Sequence, residues 1–171
     1  MKLETVFDFI KGSRGYNYPL KYKLIYGLPI SDDELTINGN LDLETTNVSS
    51  LPDNLTINGW LDIRDTEITT LPNNLTVNIL FADRLDILFL PDSLKVLEDL
   101  HLGDTKITSL PDNLQVYGTL DVSNTKIMSI PYNLRVGRFL AIDGTPLSKR
   151  YRIREIRKKI EDRGGSVGHI I

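Results

Sequence analysis

Leu51-Pro-Asp-Asn-Leu-Thr-Ile-Asn-Gly-Trp-Leu-Asp-Ile-Arg-Asp-Thr-Glu-Ile-Thr-Thr70 is one unit of an internal repeat, and reading it so decides the fold. Its opening Leu51-Pro52 recurs as Leu71-Pro72, Leu90-Pro91, Leu110-Pro111 and Ile130-Pro131, at spacings of 20, 19, 20 and 20 residues. Its apolar anchors Leu51, Leu55, Ile57, Leu61, Ile63 and Ile68 return as Leu71, Leu75, Val77, Leu80, Ala82 and Ile87. The same columns continue through Leu94, Val96, Leu100, then Leu114, Val116, Leu120, then Leu134, Val136, Leu140. The 19-residue unit loses its residue between Val77 and Leu80. Upstream, Leu35, Ile37, Leu41, Leu43 and Val48 mark a first unit from about residue 31, so six units span 31–149. A period near 20 residues marks a solenoid, in which each unit buries its apolar side against its neighbours.

Each Leu-x-Leu segment is expected to be a short strand, with its two apolar residues inward and the residue between them outward. Stacked units then make a parallel sheet. The Leu-Pro turns fall on the opposite side, where proline sacrifices no ladder bond. The units are too short for a long helix there, so extended or 3₁₀ segments are expected.

The segment Leu61-x-Ile63-x-x-Thr66-x-Ile68 resembles the L-x-L-x-x-N-x-L of the leucine-rich repeat family. The Leu-Pro-x-x-Leu start is similar to that of its short bacterial and phage-type members. The resemblance covers residues 31–149. It implies an α+β repeat fold: a leucine-rich-repeat solenoid with a parallel β-sheet face, an N-terminal helical cap and a C-terminal helical cap. One column departs from the family. Thr46, Thr66, Thr105, Thr125 and Thr145 stand where its buried Asn would be, with Leu85 breaking the series. This suggests a threonine ladder whose weakest turn is at Leu85. Some bacterial members carry a ubiquitin-ligase domain with a cysteine nucleophile; this chain has no cysteine, and that activity is not implied.

The 171 residues fit one structural domain, divided as an N-terminal cap (1–30), six repeats (31–149) and a C-terminal cap (150–171). In the first part, Leu3, Val6, Phe7 and Ile10 share a helical face ahead of Gly12, and Tyr16, Tyr18, Tyr22 and Tyr26 follow. In the last, residues 148–163 read as a helix with Ser148 at its N-cap and Ile153, Ile156 and Ile160 on one face. Val167 to Ile171 reads as a final strand. A solenoid end exposes apolar core unless something covers it, which is why both ends are assigned to capping.

The absence of cysteine excludes disulfides, thiolate metal sites and cysteine nucleophiles. The N-terminal ten residues carry acids within their apolar run, unlike a signal peptide, and no stretch reaches the length of a membrane span. A cytoplasmic protein without membrane contact is expected. Asn47, Asn54 and Asn74 match the glycosylation sequon, but the last two share one repeat position, and repeat geometry explains them better.

The net charge of −3 conceals an uneven distribution. Residues 1–30 hold five basic and two acidic side chains, residues 31–147 seven and eighteen, and residues 148–171 eight and three. Residues 31–147 therefore carry −11 between ends of +3 and +5. An acidic body calls for an electropositive partner. It disfavours direct nucleic-acid contact, although Arg150, Arg152, Arg154, Arg157, Lys158 and Lys159 make that the alternative to consider for the C-terminal helix. A hydrolase built on the acidic columns is a further, weaker alternative.

No nucleotide-binding glycine loop and no nucleophile motif is present. His101 and His169 have no His-x-x-x-His spacing, so a zinc site is short of ligands, and no metal, cofactor, small-molecule substrate or catalytic residue is assigned. Function is expected on the open face of the sheet. Its central outward column reads Asp42, Asp62, Phe81, His101, Asp121, Ala141. The column before it reads Asn40, Trp60, Ile79, Asp99, Thr119, Phe139, and the one after it Glu44, Arg64, Asp83, Gly103, Ser123, Asp143. Exposed aromatics among charges resemble interface hot spots. The sequence thus points to a non-enzymatic protein-binding module for a basic protein surface. The phage-type resemblance narrows this to inhibition of a host nucleic-acid-binding or defence protein. Oligomeric state is left open.

Overall fold

The computed structural model describes residues 18–171 as a parallel β-solenoid of about five turns. Helix α1 (Leu20–Tyr26) ends at Gly27, whose φ of 62° provides the left-handed closure. A 3₁₀ turn (Asp32–Glu34) follows. The helix expected over residues 3–11, with Gly12 and Tyr16, lies outside the described residues.

Among the described residues the ten strands are β1 (Thr36–Ile37), β2 (Leu41–Asp42), β3 (Thr56–Asp62), β4 (Thr76–Phe81), β5 (Lys95–Val96), β6 (Leu100–His101), β7 (Gln115–Val116), β8 (Leu120–Asp121), β9 (Arg135–Ala141) and β10 (Ser166–Ile170). All pairings are parallel. Leu41, Leu61, Leu80, Leu100, Leu120 and Leu140 lie in register across the turns. Each is buried, as are Leu43, Ile63, Ala82, Leu102, Val122 and Ile142 two residues on. A large aliphatic side chain so buried contributes roughly 1.5–3 kcal/mol, and these stacked rows form one continuous core.

One two- or three-residue strand per unit is expected; three units have two short strands and the other three one longer strand that spans both positions. A second column runs through Ile57, Val77 and Val96 on one side and Val116, Val136 and Val167 on the other. Its signal was the Leu55-x-Ile57 alternation and its repeats, which the sequence shows as anchors without revealing that the intervening residue joins a ladder. The short unit is absorbed here. β4 runs straight from Val77 to Phe81, while β3 bulges between Ile57 and Trp60 to keep Trp60 opposite Ile79 and Leu61 opposite Leu80. Gly59 at that bulge has no room for a side chain, since a Cβ would lie 2.5 Å from the Gly39 carbonyl oxygen.

The threonine column is regular. The Oγ1–H of Thr46, Thr66, Thr105, Thr125 and Thr145 donates at 2.6–2.7 Å to the carbonyl three residues earlier, within its own turn. Leu85 fills the equivalent place as a buried apolar side chain. Two further columns sit at positive φ: Thr45, Asp65, Arg84, Asp104, Asn124 and Gly144, and Asn54, Asn74, Asn113 and Asn133. This accounts for the recurrent asparagine. Asn tolerates the left-handed region and bonds its counterpart one turn away, Asn74 Nδ2 donating to Asn54 Oδ1 at 2.9 Å and Asn133 Nδ2 to Asn113 Oδ1 at 2.9 Å.

The C-terminal part differs from the single helix expected over 148–163. Helix α2 (Pro146–Arg150) is capped by Thr145, whose hydroxyl accepts from the Ser148 N–H at 3.1 Å, so Ser148 is not the cap. The chain turns extended at Tyr151 and Arg152 before helix α3 (Ile153–Asp162). Ile156 and Ile160 are buried in the core, but Ile153 is exposed, because it begins the helix where no turn precedes it to pack. β10 then pairs with β9, and the Arg157 guanidinium fastens α3 to it by donating to the carbonyls of Val167 (2.9 Å) and Gly168 (3.0 Å).

Candidate functional site

Strand register places Asp42, Asp62, Phe81, His101, Asp121 and Ala141 in one row across the turns, with their buried leucine neighbours facing the other way. Trp60 and Ile79 are opposite each other one residue short of that row. The row is not uniform. At its centre Trp60 meets Phe81 edge-on, with ring centroids 6.5 Å apart, and Phe81 stacks on His101 at 4.9 Å. Three rings from three successive turns thus form a continuous ladder, all half-buried. Phe139 is not part of it; it lies opposite His169 of β10, at 5.6 Å.

The acids on this face have structural duties that a list of columns does not show. Asp62 is buried, not solvent-facing. The Arg64 guanidinium covers it, donating through Nε (2.9 Å) and Nη2, and reaches Glu44 at 3.3 Å. That pairing with Asp62 raises the Arg64 pKa above its ordinary value. The same guanidinium lies 5.5 Å from the Phe81 centroid, so a cation already occupies one side of the ladder. Asp42 accepts from the Glu44 N–H (3.0 Å) and lies 3.9 Å from Lys21 Nζ. Asp121 accepts from the Ser123 N–H (2.9 Å), and Asp99 from the Thr119 N–H (2.6 Å) one turn on. These carboxylates hold loop amides in place as well as carrying charge.

Asp83, His101 and Asp121 come together from three consecutive turns, each offering one ligand atom within 4.8 Å of the others. Counting histidines along the chain did not reveal this, because 18 residues separate Asp83 from His101 and 20 separate His101 from Asp121. Only the repeat period, taken with the row and column of each residue, could have brought them side by side. Burial pushes the Asp83 carboxyl above its usual range, against the attraction of His101 and the Gly103 N–H it accepts at 3.0 Å.

Two other surfaces bear on function. Between β5 and β7 the second strand column is interrupted, and a cleft of about 550 Å³ opens there, bordered by Lys95, Leu97, Asp112, Gln115 and Tyr117. Most of the C-terminal basic residues are engaged. Arg157 binds β10, Lys158 pairs with Asp162 at 2.8 Å, and Lys159 and Arg150 lie 4.3 and 5.3 Å from the Tyr151 ring centroid. Arg152 and Arg154 are exposed. Among the described residues no helix is long and apolar enough to cross a membrane. Compared with known proteins, the chain matches no family model, no curated protein and no solved structure.

Proposed function

We propose that the protein is a non-enzymatic binding module of the leucine-rich-repeat type, its two ends acting as caps, and that the open sheet face grips a basic protein surface. The observation that carries this reading is the Trp60–Phe81–His101 ladder set among carboxylates. Rings locked against one another lose little entropy on binding, and such half-buried aromatics supply most of the energy of protein interfaces. The acids that hold loop amides keep their function here. A carboxylate has about four acceptor sites, and a single amide bond leaves most of them for a partner's Lys or Arg. Ile79 beside Trp60 adds apolar area, and Asp42, Asp99 and Asp121 supply charge.

The nucleic-acid alternative through the C-terminal basic residues is weaker than the sequence suggests, since Arg150 of α2 and Arg157, Lys158 and Lys159 of α3 already have partners within the chain. In its narrower form the reading makes the protein an inhibitor that occupies the nucleic-acid groove of a host defence protein in a cytoplasmic setting. The −11 charge of residues 31–147 supports that form.

The test begins by isolating the partner from the native host and titrating it with purified chain. Trp60→Ala combined with Phe81→Ala is expected to weaken binding by at least about thirtyfold, the effect of a single hot-spot residue. Affinity unchanged by the pair removes this face from consideration. Competition with DNA or RNA for the same partner, weakening as salt rises, distinguishes the inhibitor form.

A further inference from the structure

We propose that Asp83, His101 and Asp121 form a binding site for one divalent first-row transition ion, of which zinc is representative. The site shares His101 and Asp121 with the proposed binding face, but its test uses the metal alone and stands or falls apart from the protein-binding reading. Three consecutive turns each contribute one ligand, and the ligand atoms are mutually within 4.8 Å. Closing them to the roughly 3.4 Å edge of a tetrahedral shell with bonds near 2.1 Å brings the ligand atoms up to about 1.4 Å nearer one another.

Gly103 is the independent observation. It stands in the column that holds Glu44, Arg64, Asp83, Ser123 and Asp143 in the other turns. Its φ is not in the left-handed region, so its backbone does not call for glycine. A Cβ there would lie 3.1 Å from Asp83 Oδ1, a tight contact, and 3.7 Å from Asp121 Oδ2, an ordinary one. With glycine at this position no side chain stands beside the two carboxylates.

The surrounding contacts fit ligation. Asp83 Oδ1 is oriented by the Gly103 N–H (3.0 Å) and Asp121 Oδ1 by the Ser123 N–H (2.9 Å), which leaves the second oxygen of each. Stacking on Phe81 fixes the His101 ring plane. Among the described residues neither carboxylate takes part in a salt bridge, unlike Asp62, Asp65 and Asp86 nearby. The two half-buried carboxylates repel each other, and an ion between them removes that repulsion. An imidazole with two carboxylates suits zinc, manganese or ferrous iron; calcium and magnesium prefer oxygen-only sets. Three protein ligands leave an open position toward solvent, beside the aromatic ladder.

The experiment is a calorimetric titration of the full chain, stripped by chelator, with zinc chloride, followed by cobalt(II) loading read as visible ligand-field absorption. One equivalent of zinc is expected to bind. His101→Gln and Asp121→Asn should each weaken it by at least about tenfold and abolish the cobalt bands, while His169→Gln leaves both unchanged. The titration of the unaltered chain needs no variant, so a misfolded substitution does not shelter the proposal. No equivalent bound at sub-millimolar zinc overturns it. So does an equivalent retained in either His101→Gln or Asp121→Asn, or one lost in His169→Gln.

Discussion

Asn74 shows how much a single position carries in a solenoid. Its φ of 57° is in the left-handed region, and its side chain bonds Asn54 one turn back. Asn74→Gly keeps the backbone conformation without strain and loses only the exposed amide bond. Asn74→Ala loses the same bond and retains a Cβ, which in the left-handed region costs an L-residue other than Asn about 1–2 kcal/mol. Urea denaturation should therefore show the alanine variant less stable than the glycine variant, the reverse of the order in an ordinary strand or helix. The recurrence of Asn at 54, 74, 113 and 133 was visible in the sequence; its cause was not, since backbone sign is a property of the closed turn. The acids mislead in the opposite direction. Asp62 occupies an outward position by alternation, yet Arg64 two residues later folds over it, and alternation says nothing about a long side chain bending back along its own strand.

At the level of elements, the ends of the solenoid depend on a few contacts. In α3, Ile156 and Ile160 are fully buried while Ile153 is exposed, so Ile156→Ala is expected to cost roughly 2–5 kcal/mol and Ile153→Ala less than about 0.5 kcal/mol, measured by chemical denaturation. The apolar spacing of these isoleucines was legible, but the break at Tyr151 that puts Ile153 on the outside was not. At the other end, α1 is tied to the 3₁₀ turn by Lys23, whose Nζ donates to both Glu34 oxygens at 2.6 Å. The Lys23 ammonium, helped by the Ser31 N–H, pulls the Glu34 pKa down from 4.5 to about 2. A carboxyl with a depressed folded-state pKa stabilises the fold above its unfolded value and loses that contribution as pH falls toward the folded one. Glu34→Gln should thus lower the melting temperature at neutral pH, and the difference from the parent should shrink between pH 4.5 and 2.

At the scale of the whole molecule, the parallel ladder has one seam. Lys95 and Leu97 N–H groups donate to the Leu75 and Val77 carbonyls of the previous turn, both at 2.9 Å. Among the described residues, the corresponding bonds from Gln115 to Leu94 and from Tyr117 to Val96 are absent, and the cleft lies there. The ladder resumes with Arg135 N–H to the Leu114 carbonyl at 2.9 Å. Native-state hydrogen exchange should find the Gln115 and Tyr117 amides exchanging well before those of Lys95 and Leu97, although all four are in equivalent columns of adjacent turns. Equal protection would mean the seam closes in solution. The sequence by itself determined the period, the inward leucine rows, the direction of stacking and the row that faces outward, because each unit must bury its apolar residues against copies of itself and only one register does so. Tertiary structure alone decided which outward residues meet across turns. The Trp60–Phe81–His101 ladder, the approach of Asp83 and Asp121 to His101, the covering of Asp62 and the seam between β5 and β7 all depend on side-chain directions and on how closely neighbouring turns approach, and a repeat pattern constrains neither.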